Sequence, residues 1–137
     1  MKPQLGQVEE FHRHFGIPVR DIPTADIPEA EMRHEIMREE NEEYRQACEA
    51  GDIVAIADAL GDQLYVLCGT ILAHGLQDVI ADVVSEIHRS NMSKLGTDGK
   101  PIIREDGKIL KGAGYFRPNL RPILAQLGQE GSTESQR

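Results

Sequence analysis

The stretch DIVAIADALGDQLYVLCGTIL, residues 52–72, decides the fold. Asp52 is a good helix N-cap and Gly75 is a typical helix stop, so the pattern predicts a helix over residues 52–74. This helix is apolar on nearly every side, yet Asp58 and Asp62 lie in its middle. Asp is a poor residue inside a helix, and an ionised carboxylate is costly to bury. Something must therefore compensate for these two side chains.

The neighbouring segments predict further helices. Apolar residues at spacings of three and four indicate helices over residues 4–15, 28–50 and 76–94, and Asn119 can cap a short last helix to residue 127. The Asp-Gly pair in IIREDGKIL, residues 102–110, predicts a small β-hairpin flap near residues 101–111. We therefore expect an all-α fold, a four- to five-helix bundle forming a single domain over residues 1–127. The polar residues 128–137 are predicted to be a disordered tail.

The charge distribution limits the partners. The formal net charge of −8 argues against binding to DNA or RNA polymers, which requires many basic residues. Residues 94–121 are an exception, because seven Lys and Arg outnumber three Asp and Glu there. A small polyanion is a suitable partner for that segment.

The two cysteines and the apolar segments indicate the compartment. Cys48 and Cys68 lie within helical patterns away from metal-binding spacings, so we interpret them as buried free thiols. The N-terminal segment lacks an export signal pattern, and the apolar run of residues 52–72 is too interrupted to predict a membrane span. The sequence therefore predicts a cytoplasmic protein with no membrane partner.

A group of acidic residues lies in the second predicted helix, in the segment EIMREENEEYRQA, residues 35–47. Met32 begins an apolar stripe that Ala47 resumes, and between them Glu39, Glu40 and Glu43 occupy the same inward face. On an isolated helix such a run is usually a solvated charged surface. Asp58 and Asp62 change this interpretation, since they lie one turn apart on a helix with few other polar residues.

These carboxylates together predict a metal site. Four or five of them in one place repel each other unless a hard divalent cation lies among them. Ligands that are all oxygen favour Mg²⁺, with Mn²⁺ or Ca²⁺ as alternatives, over zinc. The predicted ligands are Glu39, Glu40, Glu43, Asp58 and Asp62.

Candidate phosphate-binding residues follow in the fourth helix and beyond it. Asn91 and Lys94 continue the apolar stripe of that helix, and beside a metal such a pair suits a phosphate group. A Lys that merely caps the helix C-terminus is an equally good interpretation of the spacing. Lys111 and Tyr115 complete the candidate substrate-binding residues.

Three segments in this order carry a family resemblance: EENEE at 39–43, ADALGDQLYVLCGTILAHG at 57–75, and EIHRSNMSKLGTDGKPIIREDGKILKGAGYFRP at 86–118. Over residues 5–125 the chain resembles the all-α nucleotide pyrophosphohydrolases, which include MazG-like and phosphoribosyl-ATP pyrophosphohydrolase-like proteins. The resemblance implies Mg²⁺-dependent hydrolysis of a nucleoside triphosphate to the monophosphate and pyrophosphate, as in nucleotide-pool house-cleaning. Hydrolysis of phosphoribosyl-ATP is the enzymatic alternative.

The resemblance also implies roles for single residues. Glu39, Glu40 and Glu43 match the family's EExxE motif, with Glu39 or Glu40 as the general base, and Asp62 matches the Asp of its ExxD motif. The Glu of ExxD falls on Ala59, which cannot bind a metal. Asp58 is the expected substitute, because it shares a helix face with Asp62.

The expected assembly is a homodimer or homotetramer. The resemblance implies intertwined helices from several chains, and the apolar surface of the helix over residues 52–74 independently requires cover on every side. Gly61 and Gly69 would allow close helix approach there. A non-catalytic helical oligomer that binds a structural cation is the alternative from another functional class, and turnover with Mg²⁺ discriminates between the two.

Overall fold

Five helices form the chain in a computed structural model that describes the backbone of residues 1–134 and the side chains of residues 1–127. They are α1 (Lys2–Phe15), α2 (Ala30–Ala50), α3 (Ile53–Ala73), α4 (Ile80–Met92) and α5 (Arg121–Glu134). The predicted all-α fold is confirmed. The chain divides into two compact units, Met1–Asp78 and Val79–Arg137. The grouping of residues 1–127 into one domain stays a prediction.

The ends of α2 and α3 follow from their local sequence. The Asp52 carboxylate accepts hydrogen bonds from the backbone N–H groups of Val54 at 2.9 Å and Ala55 at 3.3 Å, which confirms it as the N-cap of α3. Gly51 ends α2 with φ of 65°, a conformation that residues with a side chain rarely adopt. A sharp reversal between α2 and α3 results.

In the first unit, α3 packs against both α1 and α2. Side chains of all three helices form the buried core, and its apolar members include Leu5, Val8, Ala47, Ala59, Cys68, Ile71 and Leu72. Arg33, near the start of α2, binds Val66 and Thr70 in the second half of α3. Asn41, farther along α2, binds Gln63, which comes earlier in α3. The two helices are therefore antiparallel, which determines which carboxylates meet.

Within the first unit, α1 and α2 leave one face of α3 uncovered. Leu60, Leu64 and Leu67 are 48%, 42% and 45% exposed, and Ile53 is 74% exposed. Length and composition alone also make α3 a candidate membrane span, although core helices of soluble proteins share both properties. The expected cover on every side is thus only partly supplied by α1 and α2.

A buried arginine joins α2 to α3. Arg33 donates from Nε to Thr70 Oγ1 at 3.1 Å and from Nη2 to the Val66 carbonyl at 2.8 Å. His12 of α1 is also buried and donates from Nδ1 to the Pro18 carbonyl at 3.2 Å. Burial lowers the pKa of both Arg33 and His12, and the neighbouring Arg33 charge lowers that of His12 further. Neither residue was predicted to lie in the core.

Gly69 makes room for this pair of side chains. A Cβ atom at position 69 would lie 2.7 Å from His12 Nε2 and would overlap the guanidinium of Arg33. We expect Gly69→Ala to lower the free energy of unfolding by about 1–3 kcal/mol, because the added Cβ would displace the buried Arg33 guanidinium from its hydrogen bonds with Thr70 and Val66. Chemical denaturation measures this change.

Gly6→Ala is the matched control, since Gly6 also lies inside a helix but a Cβ atom there would meet no other part of the chain within 4 Å. We expect it to be neutral or to stabilise the protein by up to about 1 kcal/mol, through the higher helix propensity of Ala. Equal stability of the two variants would contradict the packing described for Gly69.

The second unit contains α4, α5 and the segment between them. Glu86 accepts hydrogen bonds from Arg89 and from the backbone N–H of Asn119, which hold the pKa of the Glu86 carboxyl at about 2. The buried Ser90 hydroxyl donates to the Phe116 carbonyl at 2.8 Å. These hydrogen bonds hold the end of the segment between α4 and α5, at Phe116 and Asn119, against α4.

The predicted β-hairpin flap is wrong for the part of the chain that the structure describes. A turn at Gly107 is present, but pairing across it amounts to a single antiparallel bridge between Ile103 and Ile109, without strands. Pro101 lacks a backbone N–H for further pairing. Ile103 and Ile109 are 58% and 48% exposed, so little apolar burial favours a longer ladder.

Several smaller predictions also need correction. Met32 does not begin a buried stripe, because it is 49% exposed and Arg33 takes the inward position. Cys68 is buried as predicted, but Cys48 is exposed. Helix α4 begins at Ile80 rather than at residue 76. A disordered tail was predicted for residues 128–137, whereas the backbone of α5 extends to Glu134. The side chains from residue 128 onward and the whole of residues 135–137 lie outside the described part.

Candidate active site

Three carboxylates converge where α2 meets α3. Glu40 and Glu43 extend from α2 and Asp62 from α3, and one carboxylate oxygen of each lies within 4.8 Å of the others. The antiparallel packing creates this group, because Gln63, next to Asp62, donates a hydrogen bond to Asn41 Oδ1 at 3.0 Å. Two of the carboxylates are exposed and Glu40 is half-buried, so the group lies at the surface of the helix pair.

Glu40 has the most unfavourable environment of the three. Its Oε2 atom is buried and has no hydrogen-bond partner among the residues that the structure describes. Burial raises the pKa of the Glu40 carboxyl, and the nearby charges of Glu43 and Asp62 raise it further. A buried carboxylate oxygen without a partner is costly, and a cation at this position would satisfy it.

The three oxygen ligands fit a hard divalent cation. Mg²⁺ is bound in proteins by one or a few carboxylates and keeps several waters, which suits a partly exposed group of this kind. Carboxylates without sulfur or nitrogen partners do not favour zinc. Glu40, Glu43 and Asp62 could therefore hold such a cation, and the metal site itself stays a prediction.

Glu39 and Asp58 lie outside this group of three. Both side chains are exposed, and neither belongs to the carboxylates that meet within 4.8 Å. Ala59, which occupies the Glu position of the ExxD motif, is 3% exposed and forms part of the core. The roles of Glu39 as a catalytic residue and of Asp58 as a metal ligand stay predictions.

The predicted phosphate-binding residues lie in the second unit. The Lys111 ammonium group lies 4.7 Å from the ring centre of Tyr115, which is a cation–π distance. The backbone N–H of Gly112 donates to the Lys94 carbonyl at 2.9 Å, so Lys94 and Lys111 belong to one packed segment. Asn91 is exposed near the end of α4, and its carbonyl accepts a hydrogen bond from the Lys94 backbone N–H at 3.1 Å.

Sequence reasoning missed the residues that hold α1 and α2 against α3. Arg33 and His12 are nearly fully buried, although both residue types usually lie at the surface. The Gly69-Thr70 pair inside an otherwise apolar helix is the signal that could have indicated a buried polar side chain. Gly69 leaves space for the side chains of Arg33 and His12, and the Thr70 hydroxyl accepts a hydrogen bond from Arg33.

These features define an all-α protein in which three carboxylates converge on two antiparallel helices. A family model described as phosphoribosyl-ATP pyrophosphohydrolase matches residues 8–91, more than half of the chain. The chain therefore belongs to this family of hydrolases that act on pyrophosphate bonds, and the resemblance seen in the sequence is confirmed.

Similarity to individual known proteins is more distant. No curated protein matches the chain. A crystal structure from Exiguobacterium sp. 255-15, described as a candidate NTP pyrophosphohydrolase, is 24% identical with a TM-score of 0.48. The match covers 96% of this chain and 97% of that one.

Proposed function

We propose that the protein is a Mg²⁺-dependent nucleoside triphosphate pyrophosphohydrolase that releases a nucleoside monophosphate and pyrophosphate. The convergence of Glu40, Glu43 and Asp62 carries this proposal, because phosphoanhydride hydrolysis needs a cation to offset phosphate charge. Family membership supports the bond that is cleaved. A role in removing unwanted nucleotides from the nucleotide pool follows from this activity.

The residues have distinct tasks in the proposed reaction. Glu40, Glu43 and Asp62 would hold the cation, which would neutralise phosphate charge and lower the pKa of a bound water. Glu39 or Glu40 accepts the proton of the attacking water. Lys94 and Lys111, assisted by Asn91 and Tyr115, bind the phosphates of the substrate and the departing pyrophosphate.

Phosphoribosyl-ATP hydrolysis is the second candidate, and the description of the matching family favours it. The same carboxylates and the same bond between the α and β phosphorus atoms serve both reactions. Parallel assays with phosphoribosyl-ATP and with a panel of canonical and modified nucleoside triphosphates separate them, with pyrophosphate release compared as kcat/KM. The larger value identifies the substrate.

We predict that the products are a nucleoside monophosphate and pyrophosphate in equal amounts. Ion-exchange chromatography after incubation with Mg²⁺ measures both. Formation of a nucleoside diphosphate and orthophosphate would contradict the proposed bond cleavage. Absence of turnover with all substrates and with either Mg²⁺ or Mn²⁺ would favour a non-catalytic, metal-binding helical module.

We further propose that the chain forms a homodimer or homotetramer. The exposed face of α3 that includes Leu60, Leu64 and Leu67 supports this, because contiguous apolar surface of this kind typically marks an interface. Light scattering at micromolar concentration should give at least twice the 15.2 kDa mass of one chain. A monomer mass under these conditions would contradict the proposal.

A further inference from the structure

An aromatic cluster lies on α1 and α3, outside the carboxylate group. The rings of Phe11 and Phe15 have centres 4.4 Å apart and a tilt of 31°. Phe11 also meets Tyr65 of α3 edge to face, with ring centres 5.6 Å apart. The chain has only three Phe and three Tyr, so half of these residues are gathered here.

The cluster is open to solvent. Phe15 is 70% exposed, Tyr65 is 40% exposed and Phe11 is 38% exposed. Beside Phe11 and Phe15 lies a shallow cavity of about 420 Å³ that is largely open to solvent and is also lined by Gln7, Glu10 and His14 of α1. Phe15 in particular leaves most of its ring available to a ligand.

The cluster also lies close to the carboxylate group along α3. Tyr65 follows Asp62 by three residues, which is about 4.5 Å along the helix axis and less than one turn around it. Both side chains therefore lie on neighbouring parts of the same helix surface. A molecule with phosphates at Asp62 would have its other end within reach of Tyr65 and Phe11.

We propose that Phe11, Phe15 and Tyr65 form a stacking site for the nucleobase of the substrate; this rests on the proposed function. A nucleobase is planar and stacks on exposed aromatic rings whatever its pattern of polar groups. The polar residues of the cavity can form hydrogen bonds with the edge of a base: Gln7 offers donor and acceptor, Glu10 an acceptor, and His14 either. This combination of stacking faces and polar edge distinguishes a base from a purely apolar ligand.

Binding of nucleosides without phosphates tests the site independently of catalysis. Adenosine, guanosine, cytidine and uridine are titrated into the full chain without metal, and the proton NMR signals of the aromatic rings are followed. We expect the Phe11, Phe15 and Tyr65 signals to shift with at least one nucleoside. Phe15→Leu should weaken that binding about tenfold or more, because base–aromatic stacking contributes strongly to affinity.

Phe15→Leu is the variant of choice because the side chain is mostly exposed, so the fold does not depend on it. Phe116→Leu is the control, because it makes the same substitution at a ring that lies under Arg89 in the second unit, outside the aromatic cluster. We expect the control to bind the nucleoside as the parent does. Equal nucleoside affinity of Phe15→Leu and the parent would overturn the proposal.

Turnover provides a second measurement. With a nucleoside triphosphate, Phe15→Leu should raise KM about tenfold, whereas hydrolysis of inorganic tripolyphosphate, which has no base, should not change. Nucleoside binding at the cluster without any turnover would contradict the proposed function and still support the stacking site. Ring signals that shift with protein concentration and not with nucleosides would overturn the site in favour of a contact between subunits.

Discussion

Glu40→Gln and Asp62→Asn should lower kcat for pyrophosphate release by about 10²–10⁴-fold. Each substitution keeps the size of the side chain but removes a charged oxygen from the group that meets within 4.8 Å. A loss of this size is typical when a group that activates or positions the attacking water is removed. Steady-state kinetics with saturating Mg²⁺ and a nucleoside triphosphate measure the effect.

Glu42→Gln is the control for this experiment. Glu42 lies on the same helix and the substitution makes the same change of charge, but its carboxylate pairs with Arg45 and stands apart from the three converging carboxylates. We expect kcat within about twofold of the parent, since exposed ion pairs contribute little. If Glu42→Gln and Glu40→Gln lose activity equally, the carboxylate group is not the active site.

Glu39→Gln and Asp58→Asn extend the comparison to the two predicted residues outside the group. A loss of kcat in Glu39→Gln comparable with that of Glu40→Gln, without a change in the Mg²⁺ concentration required, would identify Glu39 as the general base. Asp58→Asn tests whether Asp58 replaces the missing Glu of the ExxD motif as a metal ligand. Since Asp58 stands apart from the three carboxylates, its effect on the Mg²⁺ concentration required for half-maximal rate shows whether it binds a metal.

The sequence predicted the helices well because their ends are locally encoded. Asp52 binds the first N–H groups of α3, and Gly51 adopts the left-handed conformation that ends α2. The hairpin was wrong because an Asp-Gly turn specifies the reversal but not the length of the ladder. That length depends on burial of Ile103 and Ile109, which tertiary packing does not provide here.

The acidic group was predictable in part for a related reason. Helical spacing places Glu40 and Glu43 on one face of α2. Asp62 lies in a largely apolar helix, and this unfavourable position indicates that its carboxylate lies near the two Glu side chains. Spacing alone does not distinguish Glu40 from Glu39, because adjacent positions differ by only part of a turn. The antiparallel packing of α2 and α3, fixed by long-range contacts of Arg33, decides which carboxylates converge.

Mg²⁺ should raise the melting temperature of the protein at neutral pH. A ligand that binds only the folded state stabilises it by RT ln(1 + [L]/Kd), which is about 2.7 kcal/mol at a hundredfold excess over Kd. Without metal, the contribution of Glu40 to stability should instead decrease with rising pH. The pKa of Glu40 is raised above its ordinary value of 4.5 in the folded protein, so the folded state binds more protons than the unfolded state in this range.

The direction of this pH effect gives a discriminating experiment. The contribution of Glu40 is fully favourable below pH 4.5 and is lost as the pH rises through its raised folded-state value. Glu40→Gln, which cannot ionise, should therefore be at least as stable as the parent at neutral pH with a chelator present, and should respond less to Mg²⁺. Thermal melts from pH 4 to pH 8, with chelator and with Mg²⁺, measure both effects. A parent that does not respond to Mg²⁺, or a Glu40→Gln variant clearly less stable than the metal-free parent, would mean that these carboxylates do not form a metal site.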